Sequence, residues 1–237
     1  MTMDMIVNQA AKLRYMMGGK PIVPLVIRGP QGGGFRMAAQ HSQSLEVWFA
    51  HIPGLIVVGP SSPYDAKGLL ISAIRDNNPV IFLESKLLYT APPDSVPETP
   101  YAIPLGQGVI KREGSDVTVV ATMAMVPRAL AAAKQLEREG CSVEVIDPRT
   151  FRPLDEELIL ESVRKTHRLL IVHEACTHYG FGAEVASMVV DKAFDWLDAP
   201  IARLGGPPMP MPYNDELERA SIPTHQRIAD AVRDLIR

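Results

Sequence analysis

Apolar side chains recur at helical spacing from Met5 to Met17, and Gly18 and Gly19 end the run. Ile22 to Ile27 (IVPLVI) is a short apolar run that predicts a buried strand, leading into a loop over Arg28 to Gly34 (RGPQGGG). Ser44 to Ala50 reads as a helix that stops before Pro53 and Gly54, and Leu55 to Val58 as a strand followed by a loop over Gly59 to Pro63. Asp65 to Ile74 predicts a helix with Ala66, Leu69, Leu70 and Ile74 facing inward. A turn at Asp76 to Pro79 and a strand at Val80 to Leu83 follow. Residues Tyr89 to Pro104 carry five prolines and little periodicity, which marks a linker. Strand and helix then alternate again. Val117 to Ala121, Val143 to Ile146, Leu169 to Val172 and Ile201 to Leu204 are the strands. Pro127 to Glu139, Glu156 to Lys165, Gly182 to Ala193 and Thr224 to Ile236 are the helices, with Pro127 in a first turn. The proline-rich stretch Gly205 to Tyr213 is expected to wrap a surface without regular pairing. The alternation predicts an α/β protein with two three-layer domains, each a parallel sheet between helices. Their expected limits are 1–88 and 108–237, joined by a linker over 89–107.

Composition narrows the function classes. With 46% hydrophobic and 22% charged residues the chain reads as an ordinary globular protein. The net charge of -3 and the lack of a Lys/Arg run argue against a nucleic-acid partner. Cys141 and Cys176 are too few for a disulfide framework and read as plain buried or half-buried thiols. The opening residues are amphipathic without a continuous apolar core, so neither a signal peptide nor a membrane span is expected, and a cytoplasmic protein is the default.

Ligands of open parallel sheets bind where strands end. The Arg28 to Gly34 loop is such a place, yet it lacks the Lys-Ser/Thr of a P-loop and the G-x-G-x-x-G spacing, so a structural turn is the stronger reading. His41, in Ala39 to Gln43 (AQHSQ), supports two readings side by side: a proton donor or acceptor in catalysis, or a histidine that caps the next helix. Ala73 to Asn78 joins a helix end to a strand. Free carbonyls with Asp76 and Asn78 oxygens can hold a hard cation, but a simple cap and turn is the stronger reading there. His173, Cys176 and His178 lack a fourth partner for zinc, and structural packing is favoured. Glu184 in a first helical turn suits the helix dipole.

Taken in order, a set of segments resembles the β subunits of the E1 components of 2-oxo acid dehydrogenases, which are transketolase-like thiamine-diphosphate enzymes. In the first half they are Asp4 to Ala11 (DMIVNQAA), Arg28 to Pro30 (RGP), AQHSQ over 39–43, Pro53 to Leu55 (PGL), Asp65 to Leu69 (DAKGL), Ala73 to Pro79 (AIRDNNP) and Phe82 to Glu84 (FLE). In the second half they are Asp147 to Thr150 (DPRT), Pro153 to Asp155 (PLD), Gly180 to Glu184 (GFGAE) and Met211 to Tyr213 (MPY). The resemblance covers essentially the whole chain. It implies a pyrimidine-binding domain followed by a transketolase C-terminal domain. It also implies pairing with an E1 α subunit as α2β2, a β-β self-contact, and docking to the E2 dihydrolipoyl acyltransferase. Thiamine diphosphate would be shared with α, which would also hold its Mg2+, and the reaction would be oxidative decarboxylation of a 2-oxo acid with acyl transfer to lipoyl-lysine on E2. His41 matches the family's active-site histidine. Leu25, Ala73, Ile74, Asp76 and Asn78 match positions that hold a structural potassium ion, mostly through carbonyls. Pro207 to Tyr213 would serve subunit contacts.

The family's pyrimidine domain begins well before the residue matched by Met1, and the glutamate that activates the aminopyrimidine ring lies in that earlier part. Glu46 and Glu84 flank the relevant segments, and neither matches it. We therefore expect a first domain lacking its N-terminal part, an unpaired sheet edge that favours association, and an isolated chain without activity. Pyruvate is the leading substrate expected, with acetoin and branched-chain 2-oxo acids open. The competing reading is an assembly module that keeps the docking surfaces and lacks the chemistry.

Overall fold

In the computed structural model, which describes residues 1–237, the chain builds two sheets. It opens on a helical rod made of α1 (Thr2–Asp4), a wider π-wound stretch over Met5–Ala10, and α2 (Ala11–Met16). Gly18 and Gly19 end the rod with φ of 66° and 80°, angles that a side chain disfavours. Then come β1 (Val26–Gln31), the short helices α3 (Ala38–His41) and α4 (Glu46–Ala50), β2 (Ile56–Val58), α5 (Pro63–Arg75) and β3 (Val80–Ser85). Ser62 caps α5: its hydroxyl accepts from Asp65 N, and Pro63 takes the first turn. A 3-10 turn over Lys86–Thr90 and an irregular passage lead to β4 (Val109–Arg112) and β5 (Val117–Ala121). The remaining elements are α6 (Met125–Glu137), β6 (Val143–Asp147), β7 (Thr150–Arg152), α7 (Glu156–Thr166), β8 (Leu169–Cys176), α8 (Phe181–Ala193), β9 (Ala202–Gly206), α9 (Asp215–Ser221) and α10 (His225–Ile236).

The first sheet has the order β1-β3-β2-β7 and the second β4-β6-β5-β8-β9. The α/β alternation therefore holds, with one revision. Each sheet ends in a short antiparallel strand, β7 on β2 and β4 on β6, so the sheets are mixed. β7 comes from the second half of the chain and completes the first sheet, which interlocks the halves. In the first sheet Val58, Val80 and Phe82 pack under α5 and Ile103. Val57, Ile81 and Leu83 join one buried cluster with Ile146, Leu169, Ile171, Phe181 and Val185 of the second half. The second sheet's opposite face, with Val117, Val119 and Val145, packs against α6 and α10.

Three sequence expectations are corrected. The strand foreseen over Ile22 to Ile27 starts at Val26 and runs through Arg28, Gly29 and Pro30 to Gln31, so half of the foreseen loop is strand. Pro21 and Pro24 have no N–H to pair, and β1 lies at the sheet edge, which leaves Ile22 55% and Leu25 42% exposed. Ile74 points outward at 62% exposure, and its neighbour Ala73 takes the core position. Gly205 and Gly206, placed in a non-pairing stretch, extend β9, where their lack of side chains lets them pass close to the Ala175 carbonyl.

Candidate active site

β1 delivers the chain to the carboxyl end of the first sheet, and Gly32 to Gly34 turn it away. This segment is wound unusually. Gly32 and Gly34 have φ of 90° and 94°, and the non-glycine residues Arg36 and Ala38 have φ of 53° and 58°. Such angles cost a residue with a side chain free energy, and they persist where surrounding contacts dictate them. A side chain at Gly32 would run into the Glu174 carboxylate, and one at Gly34 into Leu87. The turn ends in α3, whose last residue is His41, on the exposed rim.

Beneath the rim lies a set of buried polar groups. Gln31 donates its amide to Glu46 Oε2 at 2.9 Å and accepts from Leu45 N at 3.1 Å. Glu174 of β8 accepts from Gly33 N at 2.5 Å. Glu218 of α9 accepts from Gly34 N with one oxygen and from Arg36 N with the other, both at 2.9 Å. Lys86 donates to the backbone carbonyl of His41. Burial pushes the Glu174 carboxyl up to about 7, with the nearby Glu46 adding to the rise and the Gly33 N–H, Arg128 and Lys86 opposing it. Burial also raises Glu46, against its hydrogen bonds, and lowers Lys86, against the charges of Glu174 and Glu218. The result is an exposed histidine on a segment whose glycine turn is held by acids of the second half, at the strand end where open α/β sheets take ligands.

Of the foreseen residues, His41 is exposed at the end of α3. The five carbonyl and side-chain positions foreseen for a cation are brought into one neighbourhood. Ala73 and Ile74 lie at the end of α5, and Asp76 N donates to Ala73 O at 3.4 Å. Asp76 Oδ1 accepts from Asn78 N at 2.7 Å and from its amide at 2.8 Å. Leu25 O accepts from Val80 N at 2.8 Å, which sets it beside the turn. Arg14 of the opening rod donates to Asn78 Oδ1 at 2.8 Å. Glu84 is engaged by Arg28 at 2.6 Å and by the Tyr89 hydroxyl at 2.5 Å, and Glu46 is buried under Gln31. His173 is buried and its ring nitrogens have no protein partner, while His178 is exposed, so these two do not converge with Cys176. No group of three His, Cys, Asp or Glu side chains is placed to hold a metal ion. Cys141 is buried and Cys176 half-buried, as expected.

Sequence reasoning missed Glu218, Lys86 and the role of Glu174. Glu174 meets Gly33 across 141 positions and Glu218 meets Gly34 across 184, so no local spacing could join them.

The comparisons with known proteins fit this architecture. The model of the transketolase pyrimidine binding domain matches residues 2–92, and that of the transketolase C-terminal domain matches residues 106–228. The β subunit of acetoin:2,6-dichlorophenolindophenol oxidoreductase of Bacillus subtilis (strain 168) is 50% identical over 98% of this chain and 68% of its own length. The pyruvate dehydrogenase E1 component subunit beta of Rickettsia felis is 50% identical over 97% of this chain and 70% of its own. Among solved structures, a split-gene transketolase described as an inactive β4 tetramer superimposes with a TM-score of 0.78 at 24% identity, over 99% of this chain and 71% of that one. Half the residues are thus shared with curated E1-type β subunits across nearly the whole chain, and the chain belongs to the transketolase-like family, among the β subunits of pyruvate and acetoin dehydrogenases.

Proposed function

We propose that this chain works with an α subunit in an E1-type dehydrogenase that oxidatively decarboxylates pyruvate, with thiamine diphosphate as cofactor and acyl transfer to lipoyl-bearing E2. The observation that carries the reading is the place of His41. It stands exposed at the carboxyl end of β1, on a strained glycine turn held by buried carboxylates of the second half. An imidazole there can hold a proton against the 2-oxo oxygen of a bound substrate and return it as the acyl group leaves. When bound, thiamine diphosphate supplies the nucleophilic carbon and the electron sink for decarboxylation. The carboxylate for the aminopyrimidine is another matter. Glu84 is tied to Arg28 and Tyr89, and Glu46 is sealed below Gln31, so neither fits that role. In this reading Mg2+ is held by α. The oxygens of Leu25, Ala73, Ile74, Asp76 and Asn78 suit a hard monovalent cation, potassium, which would brace the turn between α5 and β3.

Acetoin is the second reading, favoured by one observation. The β subunit of the Cupriavidus necator acetoin oxidoreductase is 51% identical over 97% of this chain, level with the pyruvate-type relatives.

The test is reconstitution with the candidate α subunit, thiamine diphosphate and Mg2+, with 2,6-dichlorophenolindophenol as electron acceptor and pyruvate and acetoin as parallel substrates. Turnover on pyruvate is expected, and His41→Ala should lower it by about 100-fold or more, the usual worth of a positioned proton-transfer group. Faster turnover on acetoin would select the second reading. Full activity in His41→Ala would overturn the role of His41.

A further inference from the structure

We infer that Glu218 is a positioning residue for His41, acting from α9 in the second half of the chain through the strained turn of the first. The inference rests on the catalytic reading of His41 and extends it to a residue that no spacing in the sequence connects with it.

Three observations converge. First, Arg36, two residues before α3, and Ala38, its first residue, have positive φ although neither is glycine. A left-handed backbone at two such residues within three positions does not hold itself. Second, both Glu218 oxygens are used on this segment, one on Gly34 N and one on Arg36 N. A carboxylate that accepts two backbone N–H groups fixes their separation and direction. Third, Glu218 is only 1% exposed, so water does not compete for those bonds. The Asn214 side chain caps α9 by accepting from Leu217 N, and Ile222 and Met211 pack beside Gly33, which fixes the platform from which Glu218 reaches. From Arg36 the chain has five residues to His41, and Lys86 holds the far end at the His41 carbonyl. The turn is thus held at both ends, and its near end is held from the other half of the molecule.

Glu218→Gln is the informative change. It keeps the shape but has one acceptor oxygen, and its NH2 would face the second N–H donor. In the reconstituted enzyme we expect kcat to fall tenfold or more with KM changed less than threefold. In a His41→Ala background the same substitution should change kcat no further, because the effect runs through His41. Arg36→Gly, which accepts the left-handed backbone without penalty, should restore part of the loss. A second readout needs neither cofactor nor substrate. The peptide bond after Arg36 is on the exposed rim, and trypsin should cut it about tenfold faster in Glu218→Gln than in the parent chain within the same complex. If Glu218→Gln does not fold, Glu218→Asp, which keeps the charge and loses reach, takes its place with the same expectations. Parent-like kcat with parent-like cleavage overturns the inference, and so does an equal loss of kcat in the His41→Ala background. Should His41→Ala itself be fully active, the catalytic reading fails on its own, and faster cleavage in Glu218→Gln would still establish the clamp on the turn.

Discussion

Arg149, just past β6, grips Asp65 of α5: its Nη2 and Nε lie 2.7 and 2.9 Å from Asp65 Oδ1. The other oxygen is taken by Lys111 of β4 at 2.6 Å and by the Ser62 hydroxyl at 2.5 Å. Asp65 is fully buried, and these contacts fasten a helix of the first half to strand β4 and the β6–β7 connection of the second. Burial alone would raise its pKa. Lys111, Ser62 and Arg149 outweigh that and hold the carboxyl below its usual range. Removing one partner of a buried pair leaves the others uncompensated. We expect Asp65→Asn to cost about 3 kcal/mol of stability. Denaturant unfolding checks this: the midpoint should drop, and an unchanged midpoint would show the latch to be idle.

The latch also shows what the sequence could and could not tell. Asp65 and Asp147 both fall in segments that carry the family resemblance, but nothing in their spacing says that they share a site with Lys111. The parallel core strands were readable because each is a short run rich in apolar and β-branched residues, as in Val117 to Ala121 and Leu169 to Val172. β7 was not, because Thr150 to Arg152 has three residues and lies between two prolines. It is a strand only because β2 offers it an edge. His41 was legible as a candidate from its chemistry and from the glycines before it. Its support was not, because Glu174 and Glu218 come from far along the chain. Long-range pairing of carboxylates with backbone N–H groups leaves no periodic trace.

Adjacent residues on β8 should give opposite pH responses. Burial lowers the His173 pKa to about 4, from an ordinary value near 6.5, and raises that of Glu174 to about 7, from near 4.5. Unfolded chains bind a proton at His173 that the folded chain refuses between pH 6.5 and 4, so this residue makes stability fall as pH falls. The folded chain keeps a proton on Glu174 that the unfolded chain releases between pH 4.5 and 7, so this one makes stability fall as pH rises. Glu174→Gln imitates the protonated acid and should remove the second slope. Its melting temperature minus the parent's should therefore become more positive from pH 5 to pH 7.5. A difference that stays flat across that range would mean Glu174 titrates normally.

Gly54 lets the opening rod dock on the first sheet. Its φ is 100°, and a Cβ there would sit against the carbonyl group of Ala11. That obstacle is backbone and cannot swing aside. Gly140 has a similar φ of 84° with nothing within 4 Å of such an atom. The two therefore separate backbone strain from collision. Gly140→Ala should cost about 1 kcal/mol, the left-handed penalty alone. Gly54→Ala should cost clearly more and release the rod, read as a larger drop in melting temperature and faster proteolysis after Lys12 or Arg14. Equal costs would show that the rod gives way without penalty.

The turn between α5 and β3 offers a test of the cation reading that is independent of catalysis. Asp76 Oδ1 is occupied by the Asn78 backbone and amide, and Asn78 Oδ1 by Arg14, so a bound cation would rely on Asp76 Oδ2 and the carbonyls of Leu25, Ala73 and Ile74. Arg14 brings a fixed positive charge close to that place and should weaken monovalent binding. At constant ionic strength, replacing sodium by potassium should raise the melting temperature of the parent chain, because a ligand that binds only the folded state stabilises it by mass action. Asp76→Ala should erase the difference. Arg14→Met should preserve it and shift half-saturation to lower potassium, because the repelling charge is gone. Identical melting in sodium and potassium, in the parent and in Arg14→Met alike, would leave the turn as a helix cap held by Asp76 and Asn78 alone.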